Sequence, residues 1–335
     1  MSSITASSIA SSLAAERLFV ANPGLSGDLG ITQALQYLRG QPGTVLLLDR
    51  TYLCSHAIVL RPGQCLRSLG TATLRCTAAI GANAPFLSLS AGCSLSNIII
   101  EQAGGGPAAG PGIAIEQAQQ HVLVRDCKIS GFAIGVSLNN CYCLRFDNVR
   151  VEGCDCGVLY SGQWVMDSSW LGGHIAGNRI GVRVEGAGHL GHTFHVCIEG
   201  NREGGIDVDG SMSNVEVHRC YCEQNGPFDI LLRCANAVAW HIHTNLFVPG
   251  MPPGVPSGAG ILLDACRDAT IAANDFGIAN PLQISSSAQG TQVYPNRFAI
   301  RPFESALNRG TDTHFHEGSA VIPLYWSLPD KLPPS

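Results

Sequence analysis

Glu185 and Asp209 lie 24 residues apart, with Asp207 two residues before Asp209 and Asp229 twenty residues after it. Carboxylates at such intervals have a chemical use only if the fold brings them side by side. One inter-strand spacing apart, roughly 5 Å, a carboxylate pair suits a retaining glycosidase, and two spacings suit an inverting one. Like charges that close also raise one pKa and so leave a proton donor at neutral pH. Arg183, Arg202 and Arg233 are interleaved with these acids, and Asp264 follows them. The arginines could grip anionic or hydroxyl groups of a substrate beside the reacting carboxylates. The same residues also allow a plainer arrangement, a solvated face on which Arg183 pairs with Asp207 and Arg233 with Asp209.

A second set contains His174, His195, Arg219 and Tyr221, and seven of the eleven histidines fall between positions 174 and 243. A His or Tyr next to an Arg can take a proton from the carbon beside a carboxylate, which is lyase or epimerase chemistry. Histidines stacked on a strand face also serve simply as hydrogen-bonded surface groups. His192, His195 and His218 have no carboxylate clearly placed with them, so no metal is expected, and no cofactor either. Cys141-Tyr-Cys143 and Cys154-Asp-Cys156 have one residue between the thiols, where zinc sites have two or more. Trp164, Trp170 and Trp240 could stack on sugar rings, although their places in or near strands fit core or rim packing better.

The elements that must position these groups repeat. Gly112-Ile113, Gly135-Val136, Gly157-Val158, Gly181-Val182, Gly205-Ile206, Asp229-Ile230 and Gly260-Ile261 recur at intervals of 23, 22, 24, 24, 24 and 31 residues. A period this regular, in segments rich in Val and Ile, marks a solenoid. Alternation within each turn buries every second side chain, and parallel turns stack equivalent residues in columns about 4.8 Å apart. One inward column reads Ile129, Val151, Ile175, Ile198, Cys222, Phe247, Phe276 and is apolar throughout. Outward columns read Ser137, Leu159, Arg183, Asp207, Leu231, Leu262 and Asn139, Ser161, Glu185, Asp209, Arg233, Asp264. On another face they read Lys128, Arg150, His174, Cys197, Tyr221 and Asp126, Asn148, Gly172, His195, Arg219. Extra residues at 103–111 and 248–260 project from one corner as long loops, the places on a rigid repeat where function usually sits.

Ahead of the repeats, Ile31, Leu35 and Leu38 have helical spacing and Gly40 provides a stop. Gly43-Thr44-Val45 through Thr51-Tyr52 then opens the first turns. This order resembles the pectate-lyase-like superfamily over roughly residues 25–300. The resemblance implies a right-handed parallel β-helix, all-β, of about ten coils with a short N-terminal capping helix and an irregular C-terminal cap. It divides the chain into an arm and helix at 1–42, a β-helix at 43–300 and a cap at 301–335. In that superfamily many reactive carboxylates lie on or just before the first strand of a coil, between long loops. The Asp-Asp and Gly-His-Gly motifs of polygalacturonases are absent, Gly172-Gly173-His174 being a different pattern. The alginate-epimerase and calcium-lyase motifs are absent too, so roles cannot be transferred residue by residue.

The chain has 335 residues, 45% hydrophobic but only 13% charged, with net charge −5 and two lysines, Lys128 and Lys331. Such a chain is a poor partner for nucleic acid. It has no apolar run long enough to span a membrane. The N-terminus lacks a secretion-signal pattern, and most of the 14 cysteines fall at apolar repeat positions as core thiols. A cytoplasmic protein is therefore expected. The leading expectation is an enzyme that acts by acid–base chemistry on a carbohydrate or similar polar cyclic substrate, as a lyase, glycoside hydrolase or transferase. Glu185, Asp207, Asp209 and Asp229 would react, and Arg183, Arg202, Arg233, Asp264, His174, His195, Arg219 and Tyr221 would bind. Two rivals stay open: a tailoring cyclase or isomerase acting on a small molecule, and a non-catalytic glycan-binding spike. The expected partner is thus an oligosaccharide or small-molecule substrate, and homo-oligomerisation is compatible with the sequence.

Overall fold

The computed structural model describes residues 17–21, 27–77, 84–104, 108–118, 121–248, 258–278, 280–298 and 313–316. Most of the 248–260 loop, the tip of the 103–111 loop and most of the 301–335 cap lie outside the described residues. The rest is an all-parallel β-solenoid of about eleven turns with one helix. No described helix is long and apolar enough to cross a membrane.

Each turn carries three strand segments, and together they give the solenoid three faces. In one turn they are Gly204–Val208, Met212–His218 and Tyr221–Glu223, after which Phe228–His243 opens the next. The expected inward column is continuous: Ile129, Val151, Ile175, Ile198, Cys222, Phe247 and Phe276 are successive parallel partners, and each is buried. Aromatics stack the same way, Phe146 on Trp170 at 3.9 Å and Phe247 on Phe276 at 4.7 Å between ring centroids. Trp170 and Trp240 are fully buried core residues, and Trp164 packs beside Tyr142. None of the 14 cysteines forms a disulfide, and ten of them are buried.

The corners are held by two asparagine ladders. At the corner before the first strand, the side chain of Asn178 donates to Asn201 at 3.0 Å and that of Asn201 to Asn225 at 2.7 Å. Between the second and third strands, Asn245 donates to Asn274 and Asn274 to Asn296, both at 3.0 Å. A side-chain amide offers a donor and an acceptor on opposite sides, so stacked asparagines satisfy one another and the backbone of the turn. The second corner also needs a left-handed residue, supplied by Asp126, Asn148, Gly172, Arg219, Thr244 and Ala273.

Two expected alignments are corrected by bulges. The register shifts between Leu171 and His174, so His195 pairs with Leu171 and leaves the column of Gly172. A second shift pairs Arg233 with Ala265, which takes Arg233 out of step with Asp264.

The helix runs Gly27–Tyr37, starting four residues before the expected Ile31. Asp28 in its first turn complements the helix dipole and binds His56 Nδ1 at 2.6 Å. Arg39 and Gly40, both left-handed, end it. Its buried Ile31, Ala34 and the following Leu38 cover the first turn. Leu18–Val20 adds a strand to Gly43–Leu47, and at the other end His314–Phe315 pairs with Gln292–Val293.

Candidate functional site

On the first-strand face, Arg183 and Asp207 are direct partners on neighbouring turns. Asp207 is buried between two guanidiniums, with Arg233 at 2.7 Å and Arg183 at 3.5 Å. Arg183 also binds Glu185 at 2.7 Å, and Arg233 lies 3.6 Å from Asp209. Burial raises the Asp207 pKa, and the two arginines oppose that rise. Glu185 and Asp209 occupy equivalent places on successive turns and are exposed. The arginines on this face are therefore engaged by its own carboxylates. Asp264 is exposed one bulge away, and its carbonyl accepts a bond from Ser285. Arg202 lines a small cavity of about 260 Å³ with Gly153, Cys154, Asp155 and Gly177. Beside it Arg179 bridges Asp155 at 2.7 Å and Glu203 at 2.5 Å.

Asp229 lies elsewhere. It takes the place that glycine holds in the other turns, is 6% exposed, and accepts a 2.7 Å bond from Asn225. Burial pushes its pKa from 3.8 up to about 7, with the Asn225 bond pulling weakly the other way. Its place is inside the wall of the solenoid.

The histidines divide. His192 points into the core, where its Nδ1 shares a 2.8 Å bond with Ser168, and Ser168 in turn bonds Tyr160 at 2.8 Å. Burial lowers the His192 pKa to about 3. His195, His218 and His243 form an exterior stack with ring centroids 5.2 and 5.5 Å apart. Arg219 is an exposed corner residue. His174, Cys197 and Tyr221 are successive partners on the third face, as the column reading expects.

Immediately beside them runs a column that the sequence reading missed: Glu101, Ser130, Glu152, Ala176, Glu199 and Glu223 pair in that order. Glu101 follows the buried Ile100, which pairs with Ile129, and each of the others follows by one residue a member of the inward column already recognised; that offset is the signal that could have revealed it. Where Ser130 and Ala176 interrupt the glutamates, a groove of about 450 Å³ opens. Glu101, Ser130, Gly131, Arg150, Glu152, Ala176, Gly177 and Glu199 line it. A Cβ placed on Gly153 or Gly177 would meet nothing within 4 Å, so the floor is open to a ligand. This groove joins the Arg202 cavity across Gly153 and Gly177.

Neighbouring side chains answer the glutamates rung by rung. Arg75 meets Glu101 at 2.6 Å, while Lys128 and Arg150 both pair with Glu152. Glu199 is met by His174 at 3.3 Å, and Glu223 accepts a 2.6 Å bond from Tyr221. Among the described residues, His174, Cys197 and Glu199 form a group whose potential metal-ligand atoms all lie within 4.8 Å of one another.

These features define a right-handed parallel β-helix. No protein-family model and no curated protein sequence matches the chain. Solved structures share its fold. The Dettilon tailspike protein aligns with TM-score 0.57 and 11% identity over 92% of this chain and 60% of its own. PfbA, a surface adhesin of Streptococcus pneumoniae, aligns with TM-score 0.57 and 10% identity over 83% and 82%. The enzymatically active domain of tailspike protein 2 of bacteriophage CBA120 gives 0.52 and 13% over 90% and 46%. The chain thus spans about 60% of the Dettilon tailspike chain and less than half of the CBA120 tailspike domain. At these identities the likeness is one of fold.

Proposed function

We propose that the protein is a carbohydrate-active β-helix that binds a neutral sugar chain in the third-face groove and hydrolyses it by acid–base chemistry. The observation that carries this reading is the pair Glu101 and Glu152, facing each other across Ser130 with one rung between them and lining one open groove. Two strand spacings put their backbones roughly 10 Å apart, which suits carboxyls that must leave room for a water beside the sugar ring. One carboxyl then donates a proton to the leaving oxygen and the other takes one from the attacking water, with inversion at the anomeric carbon. The acidic wall disfavours a polyanionic substrate, whereas hydroxyl groups bond well to carboxylates, arginine and backbone groups. Support also comes from the setting: one fold neighbour is an adhesin and another an enzymatically active tailspike domain. Ion pairs hold the carboxylates of both faces, Glu101 to Arg75 and Glu152 to Lys128 and Arg150 as well as Glu185 to Arg183, so what favours the third face is the open groove that Glu101 and Glu152 line.

The test is reducing-end release from a panel of neutral and acidic oligosaccharides by the full chain, with the stereochemistry of the product read by NMR. Cleavage of a neutral glycan with inversion, reduced at least about 100-fold by both Glu101→Gln and Glu152→Gln, is expected. Cleavage that survives both substitutions, or no binding of any glycan, overturns the reading.

A further inference from the structure

We infer that the end of the groove away from Glu101 is a zinc site, with His174 Nδ1, Cys197 Sγ and a Glu199 carboxylate oxygen as its three protein ligands. The register builds it. His174 and Cys197 are cross-strand partners on adjacent turns, and Glu199 stands two residues beyond Cys197, so all three side chains leave the same face. Their ligand atoms already lie within 4.8 Å of one another, and His174 Nδ1 is 3.3 Å from Glu199 Oε1. Zinc bonds of about 2.0–2.3 Å in a tetrahedron require ligand separations of roughly 3.3–3.8 Å, so rotamer-scale adjustments complete the site. All three side chains are partly exposed at the surface, which leaves them free to make such adjustments.

Charge points the same way. Glu101 and Glu152 each have an arginine or lysine partner, but Glu199 is met only by a histidine among the described ion pairs. A divalent cation here supplies the positive charge that Arg75, Lys128 and Arg150 supply further along the column. The donor set chooses the metal. One nitrogen, one sulfur and one oxygen suit a borderline-soft ion, whereas calcium and magnesium need a shell of oxygens. The fourth position is open as well. The residue opposite Glu199 is Ala176, whose small side chain leaves the cation facing the groove that Ala176, Gly177 and Glu199 line. Three protein ligands with one free position is the arrangement of zinc sites that bind water or a substrate oxygen. A water or a substrate oxygen arriving in the groove is the ligand this position would take.

Zinc titration of the chelator-treated full chain by calorimetry tests the site, with cobalt(II) as a spectroscopic probe of the thiolate. One equivalent of zinc should bind, and cobalt should give a thiolate-to-metal charge-transfer band that Cys197→Ser abolishes. His174→Ala, Cys197→Ser and Glu199→Gln should each weaken zinc by more than the roughly 10–100-fold that loss of an outer partner costs. Cys143→Ser, on a different face, should leave both signals unchanged. Zinc affinity that is unaltered in all three variants, or the absence of a charge-transfer band, overturns the assignment. The site stands apart from the glycan reading. Zinc binding without glycan cleavage refutes only the hydrolase, and cleavage without zinc binding refutes only the metal site.

Discussion

Asn225 Nδ2 donates to Asp229 Oδ1 at 2.7 Å, and with that bond a ladder of amides ends on a buried carboxyl. In the neighbouring turns glycine fills the place of Asp229, at Gly157, Gly181, Gly205 and Gly260. A side chain there has to enter the wall, away from water. That raises the Asp229 pKa from 3.8 to about 7, so the folded chain holds this proton more tightly than the unfolded chain. The resulting stability is complete below the unfolded value and is lost as pH rises through the folded one, at about 1.4 kcal/mol per pH unit between them. Asp229→Asn keeps the shape and the acceptor oxygen while removing the titration. The variant should be the more stable protein at about pH 8 in urea denaturation. Equal stability there would mean that Asp229 ionises without penalty.

His192 acts with the opposite sign. Its Nε2 is buried and has no partner, and its pKa falls from 6.5 to about 3. Protonation is thus disfavoured in the fold, and stability declines as pH drops from the unfolded value toward the folded one. Between about pH 4 and 6.5 the two groups change stability at similar rates in opposite directions and largely cancel. Asp229→Asn should unmask an acid-side loss, and His192→Leu should unmask a loss on the alkaline side. Three superimposable urea-midpoint profiles would refute both assignments.

How much was legible can be judged from the columns. Ile129 through Phe276 could be aligned because strand alternation and a near-constant period leave one consistent register, and every member is buried. The groove was hidden by a matter of offset. A short outer strand presents one outward residue before its inward residue and one after it; the first gives Lys128, Arg150 and His174, the second Glu101, Glu152 and Glu199. Bulges were invisible for a different reason. A one-residue slip moves side chains to the other face, and only the Gly172-Gly173 pair hints at the shift that misplaces His195. The early start of the helix was foreshadowed only by Asp28, whose role depends on His56, distant in sequence.

Asp207 should matter to stability more than its neighbours do. It is buried against Arg183 and Arg233, so Asp207→Ala removes the carboxylate and leaves two guanidiniums facing each other. A loss of about 1–3 kcal/mol is expected from urea denaturation. Glu185→Gln and Asp209→Asn alter exposed ion pairs and should each cost under about 0.5 kcal/mol, with groove activity unchanged. If Asp207→Ala were as mild as these two, the clamp would not be holding the face together.

Ala176 separates the structural and functional parts of the groove. It sits between Glu152 and Glu199 in the pairing order and faces outward, so a larger side chain enters the groove rather than the core. Ala176→Leu should therefore leave the urea midpoint nearly unchanged while occupying the space over Gly153 and Gly177. Glycan affinity, measured by calorimetry, should fall at least about tenfold, equivalent to roughly 1.4 kcal/mol. Zinc affinity should persist, because none of the three proposed ligands has been replaced. Undiminished glycan affinity in a stably folded Ala176→Leu variant would place the sugar on another face, and the first-strand cluster around Asp207 would become the next surface to test.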